Sequence, residues 1–248
     1  MKRFLNKVFE GDCLEIMPLI PEKSVDMILC DLPYGTTQNK WDVIIPFEPL
    51  WKEYKRIVKD NGAIILTGAQ PFITDLINSN REMFKYDLIW YKPLGSGHLN
   101  CNKMPMRNHE HILVFYNDLP TYNPQMMSGK MRDKGSRGHN GSSNYGEFKP
   151  VLSRSDKYFP QSVINITNGD RTKESEHPTQ KPLELFTYLI NTFSNEGDTV
   201  LDNCAGSGTT AEACLETKRN YIVIEKEKKY VDIINNRILR FKEQGRLF

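Results

Sequence analysis

Short apolar runs alternate with helical periodicities along most of this chain, and no other feature limits its fold so sharply. Lys7-Val8-Phe9-Glu10 predicts a short strand ending at Gly11-Asp12, with a short helix following to about Pro18. Val25 to Cys30 is a nearly continuous apolar run, as a strand needs when both sheet faces are covered. Phe47, Leu50, Trp51, Tyr54, Ile57 and Val58 recur at helical spacing, predicting a helix over 47–60 closed by Asn61-Gly62. Ala63–Thr67 then predicts a strand, Pro71–Ser79 a helix and Tyr86–Tyr91 a strand, with His111–Tyr116 pairing beside the last as an antiparallel edge hairpin. After residue 166 the alternation resumes. A helix is marked by Leu183, Phe186, Leu189, Ile190 and Phe193, a strand by Thr199–Asp202, a helix by Thr209–Lys218 and a strand by Tyr221–Ile224. A last amphipathic helix carries Val231, Ile234, Ile238 and Phe241. Strand–helix–strand order of this kind predicts an α/β fold with a doubly wound, mostly parallel sheet.

The 248 residues suit one such domain with an insertion. From Asn117 to about Gln161 the alternation stops, and Gly, Ser, Asn, Lys and Arg dominate. The expectation is a single domain over 1–248 with residues 117–166 inserted. Between Ser128 and Lys157 lie seven basic and three acidic residues, although the whole chain carries only +2. A long loop inside an α/β domain is uncommon unless it has a function. This one offers a concentrated positive patch, with Lys130, Arg132, Lys134 and Arg137 at its centre, to an anionic partner. Apolar runs of four to five residues cannot span a bilayer, and no leader pattern follows the basic start, so no membrane partner is expected. Five cysteines without framework spacing fit a reducing, cytoplasmic setting.

"LDNCAGSGTT", Leu201 to Thr210, gives strand, glycine turn and helix in the order that lets backbone N–H groups face a ligand. Gly206 and Gly208 would let the chain approach that ligand closely. Glu225 ends the next strand about twenty residues on, where a carboxylate can bind both hydroxyls of a ribose. The third glycine of a dinucleotide site is missing, as is the lysine of a P-loop. That favours a ligand with ribose and no pyrophosphate, a form that S-adenosylmethionine has. An ordinary β–α turn with packing glycines is the competing reading.

"CDLPYG", Cys30 to Gly35, leaves a buried strand and at once presents a carboxylate, a proline and a tyrosine. In open α/β sheets ligands bind at such carboxyl ends. An exocyclic amino group on a base is a poor nucleophile because its lone pair is delocalised into the ring. A carboxylate (Asp31) and a backbone carbonyl (Leu32) that both accept its hydrogens would pull the nitrogen toward tetrahedral geometry. This is catalysis by positioning and electrostatics. Pro33 stiffens the turn, and Tyr34 offers a ring on which an extruded base can stack.

Taken together, these segments resemble the amino-directed DNA methyltransferases of the β arrangement. Asp31-Leu32-Pro33-Tyr34 looks like the family's Asp-Pro-Pro-Tyr catalytic motif, and "DNCAGSGTT" like its methionine-binding glycine motif. "HPTQKPLEL", His177 to Leu185, is similar to the segment that helps close the cofactor pocket. The N-terminal unit is similar as well, and its first aspartate, here Asp12, would contact the cofactor adenine. The likeness implies a class I S-adenosylmethionine-dependent fold with a circularly permuted motif order. Asp202, Ala205, Gly206, Ser207, Gly208 and Thr209 would line the methionine end, Glu225 would hold the ribose, and His177, Thr179, Gln180 and Lys181 would sit beside them. The insertion would be the target-recognition region. The implied substrate is double-stranded DNA; an Asp opening the catalytic motif leans toward N6 of adenine, with N4 of cytosine the alternative that shares the mechanism. The family also includes homodimers and partners of cognate restriction endonucleases. Leu32 departs from the usual proline, which frees φ and restores an N–H.

A C5-cytosine enzyme needs a nucleophilic thiolate in a Pro-Cys pair, and no cysteine here follows proline. Cys101, His109 and His111 have no metal-motif spacing, so no metal is expected. Two rivals stay open on the residues: a non-catalytic DNA-binding module and a methyltransferase for RNA or another substrate. The one-signed insertion favours a long polyanion.

Overall fold

The computed structural model describes residues 1–35, 42–136, 139–141, 147–167 and 181–244. In chain order its elements are β1 (Lys7–Glu10), α1 (Cys13–Ile16), β2 (Val25–Asp31), α2 (Phe47–Ile57), β3 (Val58–Gly68), α3 (Phe72–Ser79), β4 (Phe84–Ser96) and β5 (Arg107–Phe115). Next come β6 (Met127–Ser136), β7 (His139–Asn140), β8 (Glu147–Phe148), β9 (Val151–Tyr158) and β10 (Val163–Asn165). The chain ends through α4 (Leu183–Phe193), β11 (Thr199–Asp202), α5 (Thr209–Glu216), β12 (Asn220–Glu225) and α6 (Lys228–Gln244). Two units result, one of residues 1–123 and 162–248, the other of residues 124–161.

In the larger unit an eight-stranded sheet runs β1-β12-β11-β2-β3-β5-β4-β10. Every neighbouring pair is parallel except the two that β5 makes. Period-two alternation explains why the strands read as unbroken apolar runs. In β2, Ile28 and Cys30 point into a core shared with Trp51, Tyr54 and Ile57 of α2 and with Phe72 and Leu76 of α3. Met27 and Leu29 point the other way, toward Leu185, Phe186 and Leu189 of α4, Ala211 of α5 and Ile234 of α6. The sheet is therefore covered on both faces.

Three local features depart from the sequence reading. Helix α2 ends at Ile57, with Val58 already extended, and Asn61-Gly62 lies inside β3 instead of closing the helix. A Cβ on Gly62 would stand 2.9 Å from the Asp26 carbonyl of β2, so the glycine serves close strand approach. The β4–β5 hairpin forms, but β5 lies between β3 and β4, and β10 pairs in parallel along the far side of β4. Residues 163–165, read as insertion, belong to the sheet; three residues are too few to display a period.

The second unit, expected to be without regular structure, contains an antiparallel pair, β6 with β9, and a smaller one, β7 with β8. A Cβ on Gly129 would come within 2.7 Å of the Tyr158 ring, whose hydroxyl donates to the Lys130 carbonyl at 2.7 Å. Lys130 and Arg132 are exposed. Lys134 is on β6, and Arg137 lies outside the described residues. No helix among the described residues is long and apolar enough to cross a membrane.

Candidate active site

Strand order reverses between β11 and β2: from there the chain order runs outward to β12 and β1 on one side and to β3 on the other. Loops leaving the carboxyl ends of such a pair diverge and open a crevice. A cavity of about 740 Å³ lies there, lined by Asp12, Asp31, Tyr34, Glu110, Gly206 and Glu225 among others. The antiparallel β5 brings its first residues to the same edge, which is how Glu110 joins Asp31.

On one side, Asp31 ends β2. Its Oδ1 accepts hydrogen bonds from the Tyr34 and Thr67 hydroxyls, both at 2.5 Å, and its Oδ2 pairs with Lys181 Nζ at 2.6 Å. Lys181 also lies 3.3 Å from Glu110 Oε2, and Lys92 holds Glu110 Oε1 at 2.6 Å. Two carboxylates and two ammonium groups thus alternate in a largely buried chain, the arrangement in which each charge is paired. Burial opposes the charge on Lys181, but Asp31, Tyr34 and Glu110 outweigh it and hold the ammonium well above its ordinary range. Burial pushes Glu110 up, and Lys181 and Lys92 bring it below its usual value. Burial and the neighbouring Asp31 raise Tyr34, which stays a phenol. The Tyr34 ring stacks on Phe72 with centroids 5.2 Å apart, so one ring face is already used.

Leu32 is buried among core residues while Pro33 and Tyr34 face the cavity. Burial of a leucine side chain contributes about 1.5–3 kcal/mol. The loop is therefore anchored by packing where a proline would have fixed φ.

Opposite, Glu225 ends β12. It accepts from Gly206 N at 2.8 Å through Oε2 and from Glu227 N at 2.8 Å through Oε1. Each oxygen keeps an acceptor site for a ligand hydroxyl. Burial raises Glu225, with these N–H groups opposing. Asp202 ends β11 and accepts from Cys204 N at 3.0 Å and from the Thr210 hydroxyl. Burial pushes its carboxyl up to about 6. Asp12 caps α1, accepting from Leu14 N at 2.9 Å, and meets Lys226 at 3.1 Å. The Leu14 N–H leads in lowering its carboxyl.

Not every expected ligand-side residue faces the cavity. Gly206 does, with φ of 53°, as do Ala205, Ser207 and Thr209. Gly208 does not; at φ 86° its missing Cβ would sit 2.9 Å from Ile234, so this glycine lets α6 approach the turn. Arg237 of α6 donates to the Ser207 carbonyl at 2.8 Å and pairs with Glu212, bracing the turn from behind. Lys181, grouped with the cofactor residues by sequence, lines the cavity as well and is paired there with Asp31. His177, Thr179 and Gln180 lie outside the described residues. The sequence assigned no role to Thr67, Lys92 or Glu110; the register that sets Asp31 beside Thr67 and Trp90 beside Glu110 discloses them.

The thiols at the cavity differ: a hydrogen bond with Cys204 leads in lowering Cys13. Burial pushes Cys30 up to about 12, and hydrogen bonding to Cys13 and Cys30, with burial, raises Cys204. All five cysteines are free. Among the described residues no three His, Cys, Asp or Glu side chains could hold a metal ion.

Comparison with known proteins agrees with this architecture. Residues 25–236 match the N6/N4 family model described as DNA methylase. The Type II methyltransferase M.HinfI of Haemophilus influenzae is 30% identical, over 96% of this chain and 70% of that protein. M2.MboI of Moraxella bovis is 23% identical, over 93% and 86%. Among solved structures, the M1.HpyAVI–SAM complex superposes with a TM-score of 0.64 at 23% identity, covering 94% of this chain and 98% of that one. The cytosine-N4-specific PvuII DNA methyltransferase gives 0.69 at 16%, covering 96% and 90%. The chain belongs to the amino-directed DNA methyltransferases, the N6/N4 DNA methylase family, whose methyl donor is S-adenosylmethionine.

Proposed function

We propose that this enzyme methylates N6 of an adenine swung out of double-stranded DNA within one short sequence. The observation that carries the reading is Asp31, an aspartate in the motif Asp-Leu-Pro-Tyr at the carboxyl end of β2, facing across one cavity toward Glu225 and the glycine turn. When bound, S-adenosylmethionine supplies an electrophilic methyl group. Asp31 and the Leu32 carbonyl accept the two amino hydrogens and orient the nitrogen lone pair. Asp31 has room for this: three of its roughly four acceptor sites are filled by Tyr34, Thr67 and Lys181. Pro33 and Tyr34 bound the base site, and Lys181 holds Asp31 in place rather than the cofactor. Glu225 takes the ribose and Asp12 the adenine edge. Asp202, Ala205, Gly206, Ser207 and Thr209 surround the methionine end. Lys130 and Arg132 of the insertion meet phosphates and position the duplex.

Sequencing that maps modified bases in DNA from a methylation-free host expressing the protein tests the reading. N6-methyladenine at one short motif is expected. N4-methylcytosine would move the target to cytosine, and unmodified DNA beside modified RNA would refute a DNA substrate.

The carboxyl of Asp202 adds a pH test. Free enzyme holds it protonated below about pH 6, whereas the ammonium of the bound methionine moiety favours the ionised form. Binding therefore expels a proton in acid, and affinity falls as pH drops below 6, by up to about tenfold per unit. Calorimetric titration between pH 5 and 8 should display that slope, and Asp202→Asn should flatten it. A flat wild-type profile would remove Asp202 from the methionine end.

A further inference from the structure

We propose that the β4–β5 connector is a wedge, and that Leu99 at its tip fills the gap an extruded base leaves in the duplex. This rests on the DNA reading above. The connector and its flanking strand ends run from Leu94 to Arg107, and Ser96 and Arg107, the last residue of β4 and the first of β5, line the cavity that holds Asp31 and Tyr34. Its apolar side chains point outward: Leu99 is 98% exposed, Leu94 86%, Met104 51% and Met106 40%. Scattered exposed leucines need no explanation, but several on one connector beside a site do.

The tip is also built. Gly97 at φ 92° starts a tight helical turn over His98–Asn100. Backbone N–H groups of Asn100, Cys101, Lys103 and Met104 close it onto the carbonyls of Gly97, His98 and Asn100 at 2.9–3.1 Å. Leu99 is thus presented from an ordered turn, so placing it in a partner costs little chain entropy. The covering partner is argued by charge. Residues 94–107 include Lys103, Arg107 and His98 and no acid, which suits a polyanion whose interior is apolar. A flipped base leaves two neighbouring bases with bare stacking faces, and apolar side chains are what proteins insert at such steps.

The test uses full-length protein and a duplex carrying the mapped motif, with 2-aminopurine at the target position for binding and adenine for transfer. Leu99→Ala should keep its melting temperature and its affinity for S-adenosylmethionine. It should lower both 2-aminopurine emission and kcat/KM on paired DNA by about tenfold or more. Placing the target opposite an abasic position, where the stack is already broken, should restore the variant's rate, and Leu99→Met should behave as wild type. Equal flipping and transfer by wild type and Leu99→Ala would overturn the wedge while leaving the enzyme's function intact. So would a variant whose only change is the association state of the free protein. A wild type that transfers no methyl group to DNA would overturn both readings.

Discussion

Asp31→Asn should lower methyl transfer by about a thousandfold or more while S-adenosylmethionine still binds. Removing one preorganised electrostatic partner from a reacting centre typically costs a factor of about 100 to 1,000. Here the loss should lie at the upper end, because in the proposed reaction the carboxylate does two things. It accepts a hydrogen from the amino group, and it stabilises the positive charge that grows on nitrogen as the methyl arrives. The amide is nearly the same size, so Thr67 and Tyr34 keep a partner and the loop keeps its Leu32 anchor. The cofactor half is built from β11, β12 and α1 and shares none of these bonds. Calorimetry for the cofactor and a single-turnover assay for transfer separate the two halves. Transfer within tenfold of wild type would remove Asp31 from the reaction.

Lys181→Met should be nearly as damaging, for a different reason. The ammonium sits between Asp31 at 2.6 Å and Glu110 at 3.3 Å with little solvent access. Without it, two largely buried carboxylates face each other with Lys92 as their remaining cation. Breaking a buried pair by deleting one partner costs about 3–5 kcal/mol of stability. Like charges brought together disfavour the doubly ionised pair, and a protonated carboxyl is a poorer acceptor for an amino hydrogen. Transfer at pH 7 should fall about a hundredfold and climb again as pH rises, whereas the wild-type rate should be level over the same span. That opposite pH trend is the readout a merely structural lysine would not give. If the variant melts lower but keeps a level profile, Lys181 supports the fold alone.

Both variants concern one cluster, and they bear on how much of it the chain reveals in one dimension. The doubly wound sheet was legible because strands buried on both faces must be apolar throughout, and β2 and β12 are. The strand–turn–helix at residues 199–216 was legible because its glycines and the acid that follows are spaced by local backbone geometry. Asp31 and Tyr34 stood out because a carboxylate right after a buried strand, followed closely by proline and tyrosine, is unlike a plain turn.

What the sequence determined on its own, then, was most of what local period and local turn chemistry govern: the alternation of elements, both loops and their acids, though not the end of α2. Tertiary structure alone decided the partners of those acids. Thr67 reaches Asp31 through pairing of β2 with β3, and pairing of β4 with β5 sets Lys92 on Glu110, which meets Asp31 through Lys181; register is a property of the assembled sheet. It also set Lys181 on Asp31 and Gly208 against Ile234 of α6. Motif spacing fixes which residues lie close along the chain, but the direction a side chain takes depends on the neighbour that packs against it.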